Sequence, residues 1–399
     1  MTRRRASTIA LSLAIAFYLF EFIARIEPGL AINDIATDFS LSNASAGTLA
    51  SLFFWAYAPM QLVVGVLLDR YGARPLVVPA IALCSSGMLL IGSTGFVWLA
   101  AFGRIATGLG ASFAFVSALY VVNHQFAPNR FALLSGLVNT GGMLGTAFGA
   151  ILLTDLVTTT GWRTMFMATG VMGLVLAALA LIGFKEQSGS GHAKKASPVL
   201  SGLRDILTNR RLWIIGLVGA LYYMPVNVFG GLWGQRDLAD DHGLDPVSAE
   251  TAVSMIFLGM AMGSLAAGAL SDKIGHRKWI IFSNAVPCAA AYAAAIYIDT
   301  TSLILLASLL FLAGLLGGAQ MLTFAMAKEA FAATQAGTVI AFVNMLGIAA
   351  AIIFQPLVGG LIDMTGENYR LAMSATPVCA LAAALLILLV AEHRHPDHR

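Results

Sequence analysis

Three charged side chains stand inside stretches that are otherwise apolar: Glu21 and Arg25 in one run, Arg104 in another. Glu21 and Arg25 are four residues apart, so on a helix the base lies one turn on and about 40° around from the acid. At 1.5 Å per residue the acid sits roughly 20 Å along its run. An ionised carboxylate at the centre of such a segment costs at least about 2.5 kcal/mol in lipid, and an i,i+4 pair returns only about 0.3–0.5 kcal/mol. Glu21 must therefore face water, find further partners or hold a proton. A proton-holding acid would tie a proton gradient to other work, with Arg25 and Arg104 tuning it. An ion pair that locks the helix is the alternative. Glu27 points some 120° away beside Pro28-Gly29 and reads as an end-of-helix charge.

Arg104, Gly108, Ala111, Ser112 and Phe115 share one helical face. The arginine either lines a cavity or snorkels outward along its stem. Other polar groups stranded in apolar runs are candidate substrate contacts with Arg25, Arg104 and Ser112: Tyr18, Tyr57, Gln61, Asn139, Tyr222, Tyr223, Asn227, Gln320 and Asn344. Leu137-Val138-Asn139 and Phe342-Val343-Asn344 repeat one another, so the two asparagines form either a pair of cavity amides or interhelical hydrogen bonds. Pro225 with Gly230 and Gly231 predicts a bend suited to gating, and Trp233 reads as an interfacial anchor. Catalytic patterns such as GxSxG, HExxH, GxxxxGK[ST] and GxGxxG are absent, which argues against an enzyme. Cys84, Cys288 and Cys379 each stand alone and read as packed side chains; no metal or organic cofactor is expected, the proton being the coupling ion.

The elements that carry these groups are membrane helices. The 399 residues are 58% hydrophobic and 11% charged, with mean hydropathy +0.82, where a soluble protein carries about 25% charge. Twelve apolar runs are each long enough for a helix of about 20 residues to cross a bilayer. The expected fold is all-α and polytopic, with an N-terminal six-helix bundle (1–184), a polar linker (185–211) and a C-terminal six-helix bundle with a short tail (212–399). The linker carries Gly, Ser and Lys and one short surface helix near Leu203 to Leu207. The basic MTRRR start precedes a run too long for a signal peptide, so the first helix is expected to remain uncleaved. With both termini cytoplasmic, 18 of the 23 Lys and Arg fall inside, while Asp34, Asp38, Asp155, Asp237, Asp240, Asp241, Asp245 and Asp363 fall in outer loops. Short loops point to a bacterial inner membrane, and the Asn43-Ala44-Ser45 sequon carries little weight.

One stretch occurs twice. Gly65, Asp69, Arg70, Gly72 and Arg74 recur as Gly268, Asp272, Lys273, Gly275 and Arg277, always 203 residues on, about half the chain. Glycine at both ends of the pattern allows close helix approach and a sharp turn, and the charges can cap helix ends and pair across a cytoplasmic seam. This duplicated loop resembles the signature of the major facilitator superfamily of secondary transporters, which implies rocker-switch alternating access with these ten residues as the gate. GRIATGLGASFAF resembles a second motif, whose arginine the family associates with proton movement or anionic substrate. Gly141, Gly145 and Gly149 form a small-residue stripe on helix five; Gly145-Thr146 stands where drug/proton antiporters of the family carry Gly-Pro, which weakens an efflux reading. Gly161-Trp162-Arg163 matches a family cap at the start of helix six. FYLFEFIARIEPGL with FFWAYAPMQLVVGVLLDRYGARP resembles a phagosomal nutrient-transporter-like branch. The resemblance implies proton-coupled symport of a small polar metabolite (amino acid, nucleoside or organic anion) by a monomer in the bilayer, with no nucleic-acid partner. An exporter of drugs or metabolites on the same fold is the alternative, and a non-transporting sensor would keep the same bundle.

Overall fold

A computed structural model describes residues 3–127, 131–184, 206–331 and 336–391. Twelve helices within them are long and apolar enough to span a membrane: Ser7–Leu30, Asn43–Leu68, Arg74–Ser93, Val97–Gln125, Thr140–Thr160, Trp162–Gly183, Arg210–Asp240, Pro246–Ile274, Arg277–Tyr297, Leu303–Glu329, Gly337–Met364 and Tyr369–Ile387. They are helix one to helix twelve below, and no strand occurs among the described residues. Leu152, Ile182 and Ile304 on their outer faces are more than 70% exposed, an arrangement that lipid tolerates and water does not. Most of the linker (185–205), Arg130 and the tail from residue 392 lie outside the described residues.

Two compact units emerge: Met1–Ser40 with Leu52–Pro198, and Leu41–Ser51 with Val199–Arg399. In the first, helix three packs on helices four and six, and helix one on five and six. In the second, helix nine packs on ten and twelve, and helix seven on eleven and twelve. The pairings recur six helices on, so the repeat in sequence is a repeat in packing. The glycine stripe of helix five does what its spacing predicts: Gly141, Gly145 and Gly149 receive Ile15, Leu19 and Ile23, one turn apart on helix one. Helices eight and ten meet backbone to backbone through Gly259, Gly263, Gly314 and Gly318; a Cβ on Gly263 would overlap the Leu315 carbonyl oxygen. Because backbone and not a flexible side chain stands in the way, Gly263→Ala should cost about 1–3 kcal/mol and lower the unfolding temperature in detergent. Gly337→Ala, with nothing within 4 Å of the new methyl, should leave that temperature unchanged.

The duplicated loops turn as expected at their second glycine. Gly72 (φ 80°) and Gly275 (φ 73°) are left-handed, and their amides close the preceding helices onto Leu68 O (2.8 Å) and Ser271 O (2.9 Å). At the first glycines, Gly65 and Gly268, no atom of the described residues lies within 4 Å of where a Cβ would stand. The bases dock on neighbouring helix ends, where carbonyls are unpaired. Arg74 donates to Leu181 O of helix six (3.3 Å), and Lys278 to Leu388 O (2.8 Å) and Val390 O (2.9 Å) beyond helix twelve. Arg277 joins Asp272 (3.4 Å) to Glu329 (2.7 Å), while the Arg70 guanidinium lies over the Tyr71 ring.

The opposite ends carry a second duplicated device. A short helix, Ile32–Asp38, follows helix one, and its Asp38 accepts from Trp162 Nε1 (2.9 Å) and pairs with Arg163 (3.4 Å), the predicted cap of helix six. Asp241, 203 residues on, pairs with Arg370 at the start of helix twelve (3.7 Å). The next caps keep the register: Ser42 Oγ accepts from the Ser45 amide, and Asp245 from Val247 and Ser248. The Ser248 hydroxyl and these amides hold the Asp245 carboxyl below its ordinary value. Within the second unit, Asp363 takes the amides of Asn43 (3.0 Å) and Ala44 (2.9 Å), capping the start of helix two. Asp237 is not in a loop. Helix seven passes through a π-wound segment, Val226–Trp233, and continues to Asp240, which leaves Asp237 fully buried.

Candidate functional site

In the first unit the three stranded charges come together where helix one lacks a backbone hydrogen bond. Pro28 has no N–H, so the carbonyl of Ala24 four residues back loses its helical donor. Arg104 supplies one from helix four: Nη1 donates to Ala24 O at 2.8 Å and Nη2 to Arg25 O at 3.4 Å. Its guanidinium lies over the Phe53 ring (4.9 Å), and only 2% of the residue is exposed, so it does not snorkel. Gly108, one turn on, presses against the Phe53 carbonyl, and this close approach brings helix four near enough for the reach.

Arg25 forms the predicted pair with Glu21, its Nε donating to Oε1 at 3.0 Å. Its Nη2 donates to the same oxygen; Oε2 is buried with no hydrogen-bond partner among the described residues. The Arg25 guanidinium lies over the rings of Phe22 (4.6 Å) and Tyr57 (5.2 Å), and Tyr57 stacks on Phe53. Tyr18 packs against Phe22 and Phe115. Helices one, two and four thus enclose a guanidinium–aromatic cluster with the acid at its edge. Gln61 is buried on helix two. Ser112 sits where helix four breaks, its hydroxyl donating to Leu109 O. The side chains of Asn139 and Asp69 lie outside the described residues.

Glu27 stands in the last turn of helix one, as expected, but not near a surface. It is wholly buried, with the Thr169 hydroxyl and the Arg104 charge beside it. A helical wheel could not place it, because helix one is covered on nearly every side.

The second unit carries the remaining candidates. Tyr222 donates to Leu316 O (2.8 Å), just before helix ten tightens to a 3-10 turn at Gly318–Met321. Gln320 in that turn is buried; Tyr223 and Asn344 are half-buried. Asn227 lies in the π-wound segment. Trp233 is not an interfacial anchor: it is fully buried, and its Nε1 donates to Gln355 O at 3.1 Å. Gln355, a second amide in the apolar run of helix eleven after Asn344, escaped the sequence reading. A polar side chain within an apolar run was the available signal. The three cysteines are buried and unpaired, as expected, and no group of acids, His and Cys among the described residues could hold a metal ion.

The model of the Major Facilitator Superfamily matches residues 9–226 and 215–399. The chain belongs to this family. It is 26% identical over 98% of its length to the 3-(3-hydroxy-phenyl)propionate transporter of Escherichia coli (strain K12), covering 96% of that protein. It is also 26% identical to the hexuronate transporter of Bacillus subtilis (strain 168), with 93% of this chain and 92% of that one aligned. Among solved structures, a bacterial homolog of the human lysosomal transporter Spinster superposes with TM-score 0.78 at 18% identity, covering 96% of this chain and 97% of that one. The superposition establishes the twelve-helix fold. The chain is accordingly a multi-pass membrane protein of a transporter family and not an enzyme.

Proposed function

We propose that the protein is a proton-coupled importer of small organic acids, acting as a monomer in a bacterial inner membrane with both termini cytoplasmic. The observation that carries this reading is the buried Arg25 guanidinium, set against Phe22 and Tyr57 and paired with the equally buried Glu21. A guanidinium recognises carboxylates, and here its protein partner is itself an acid. When Glu21 takes a proton the pair weakens and Arg25 becomes available to a substrate carboxylate; when the substrate leaves, Arg25 draws the proton off Glu21 again. One proton therefore travels with one anion. The organic-acid names of the relatives favour this class over amino acids and nucleosides. The duplicated loops are the seam that reseals in each cycle, and nothing beyond the proton is needed as cofactor.

Thermal unfolding of the purified protein against organic acids, amino acids, nucleosides and lipophilic cations tests the reading. A ligand at about 100 times its Kd stabilises by roughly 2.7 kcal/mol. Shifts with organic acids, followed by acid-driven uptake into proteoliposomes, are the expected outcome; shifts with lipophilic cations alone would make efflux the function. Asp69→Asn should slow interconversion of the two access states and cut turnover severalfold with little change in substrate affinity. A sharp loss of affinity at unchanged turnover would remove Asp69 from the gate.

A further inference from the structure

Two amides in the second unit are left half-used. Gln355 of helix eleven is fixed to helix seven twice: its Nε2 donates to the Asn227 carbonyl at 3.1 Å, and its own carbonyl accepts from Trp233 Nε1 at 3.1 Å. The first bond also fixes which way round the amide sits, because a flip would set Oε1 against a carbonyl oxygen. Oε1 of Gln355 is then buried with no partner in the structure, and so is Nδ2 of Asn227. The two residues are 2% and 3% exposed. A buried polar group left unsatisfied costs about 1–3 kcal/mol. Here there are two, beside a π-wound stretch of a kind that recurs at functional sites.

The two orphans are of opposite sense, one N–H donor and one carbonyl acceptor, on segments already tied together. A group that satisfies both must accept from Asn227 and donate to Gln355. A carboxylate only accepts and an ammonium only donates, whereas a hydroxyl does both through one oxygen. We infer that Asn227 and Gln355 form a subsite for a hydroxyl group of the transported solute, so that the substrate is a hydroxylated organic acid. The inference rests on the organic-acid reading above and deepens it by adding a second, neutral group to the acid. Selectivity follows, because a solute lacking the hydroxyl would leave both amides unsatisfied on binding.

Binding to the purified full-length protein decides it, using 3-(3-hydroxyphenyl)propionate, its 3-methoxy analogue and 3-phenylpropionate, with 2,5-dihydroxybenzoate and benzoate as a second series. The hydroxylated acids should bind at least tenfold tighter than the deoxy acids. The methoxy analogue, which accepts but cannot donate, should bind no better than the deoxy acid. Gln355→Met and Asn227→Ala should each bring the ratio below threefold. Asn227→Ala leaves the backbone carbonyl that braces Gln355 in place, so it serves if Gln355→Met fails to fold. Equal binding of hydroxylated and deoxy acids overturns the subsite and leaves the organic-acid reading standing. So does a ratio that survives both substitutions, the pair then being satisfied by buried water. If no organic acid binds while another solute class does, the organic-acid reading fails and the subsite falls with it.

Discussion

Proteoliposomes carrying Glu21→Gln will not concentrate substrate when a pH gradient is imposed, while exchange of labelled for unlabelled substrate continues. A pH step of about two units supplies about 2.7 kcal/mol per proton, enough for roughly 100-fold accumulation at one proton per solute. The amide cannot carry that proton, so the internal level should stop at the external one. Its size is nearly that of the acid and it can still accept from Arg25 through one oxygen, so the cluster with Phe22 and Tyr57 should remain assembled. Exchange needs binding and reorientation but no net proton movement, which is why it separates a proton carrier from a structural pair. Undiminished accumulation would leave Glu21 as a lock on helix one, and loss of exchange together with accumulation would point the same way.

Arg104→Met should destabilise the first unit by about 3–5 kcal/mol, the range for removing one member of a buried charged set. Two losses combine. The Ala24 carbonyl is left without the donor that Pro28 cannot supply, and Glu27 loses the cation beside it. The first can be isolated, because Pro28→Ala restores a backbone N–H at the position that pairs with Ala24. In the Arg104→Met background, Pro28→Ala should recover about 1 kcal/mol, the net worth of a hydrogen bond. In the wild type, where the carbonyl is already satisfied, it should gain little. The four unfolding temperatures form a double-mutant cycle. Strict additivity would mean that Arg104 does not substitute for the missing amide. Recovery with no return of transport would show that the arginine also acts on the solute or the proton.

The sites divide by how local their signals are. Glu21 and Arg25 were legible because an i,i+4 spacing fixes the geometry of a pair within one turn. Gly72 and Gly275 were legible because a left-handed residue ends a helix whatever packs around it. Glu27 and Asp237 were misread for different reasons. Glu27 does lie in the last turn of helix one, but that end is covered, so the acid is buried and not at the surface. Asp237 follows a drop in hydropathy that looked like a loop, yet the winding carries on through the π segment and buries it. Trp233 has the residue type of a membrane-surface anchor, and only helix eleven beside it shows that it is an internal donor.

What the amino-acid order settled alone was the membrane class, the twelve spans, the duplication at 203 residues and the acid–base pair on helix one. These rest on hydropathy, periodicity and repetition, each readable within a window of one or two turns or by comparing the chain with itself. The partnership of Arg104 with the Ala24 carbonyl spans 80 residues, and that of Gln355 with Asn227 spans 128. Each depends on which faces of two helices meet. In a chain apolar on nearly every face that choice leaves almost no trace in sequence, because lipid and protein make the same demand of a side chain. Packing of small residues decides it, and with it which buried polar groups find a partner and which are left for a solute or a proton.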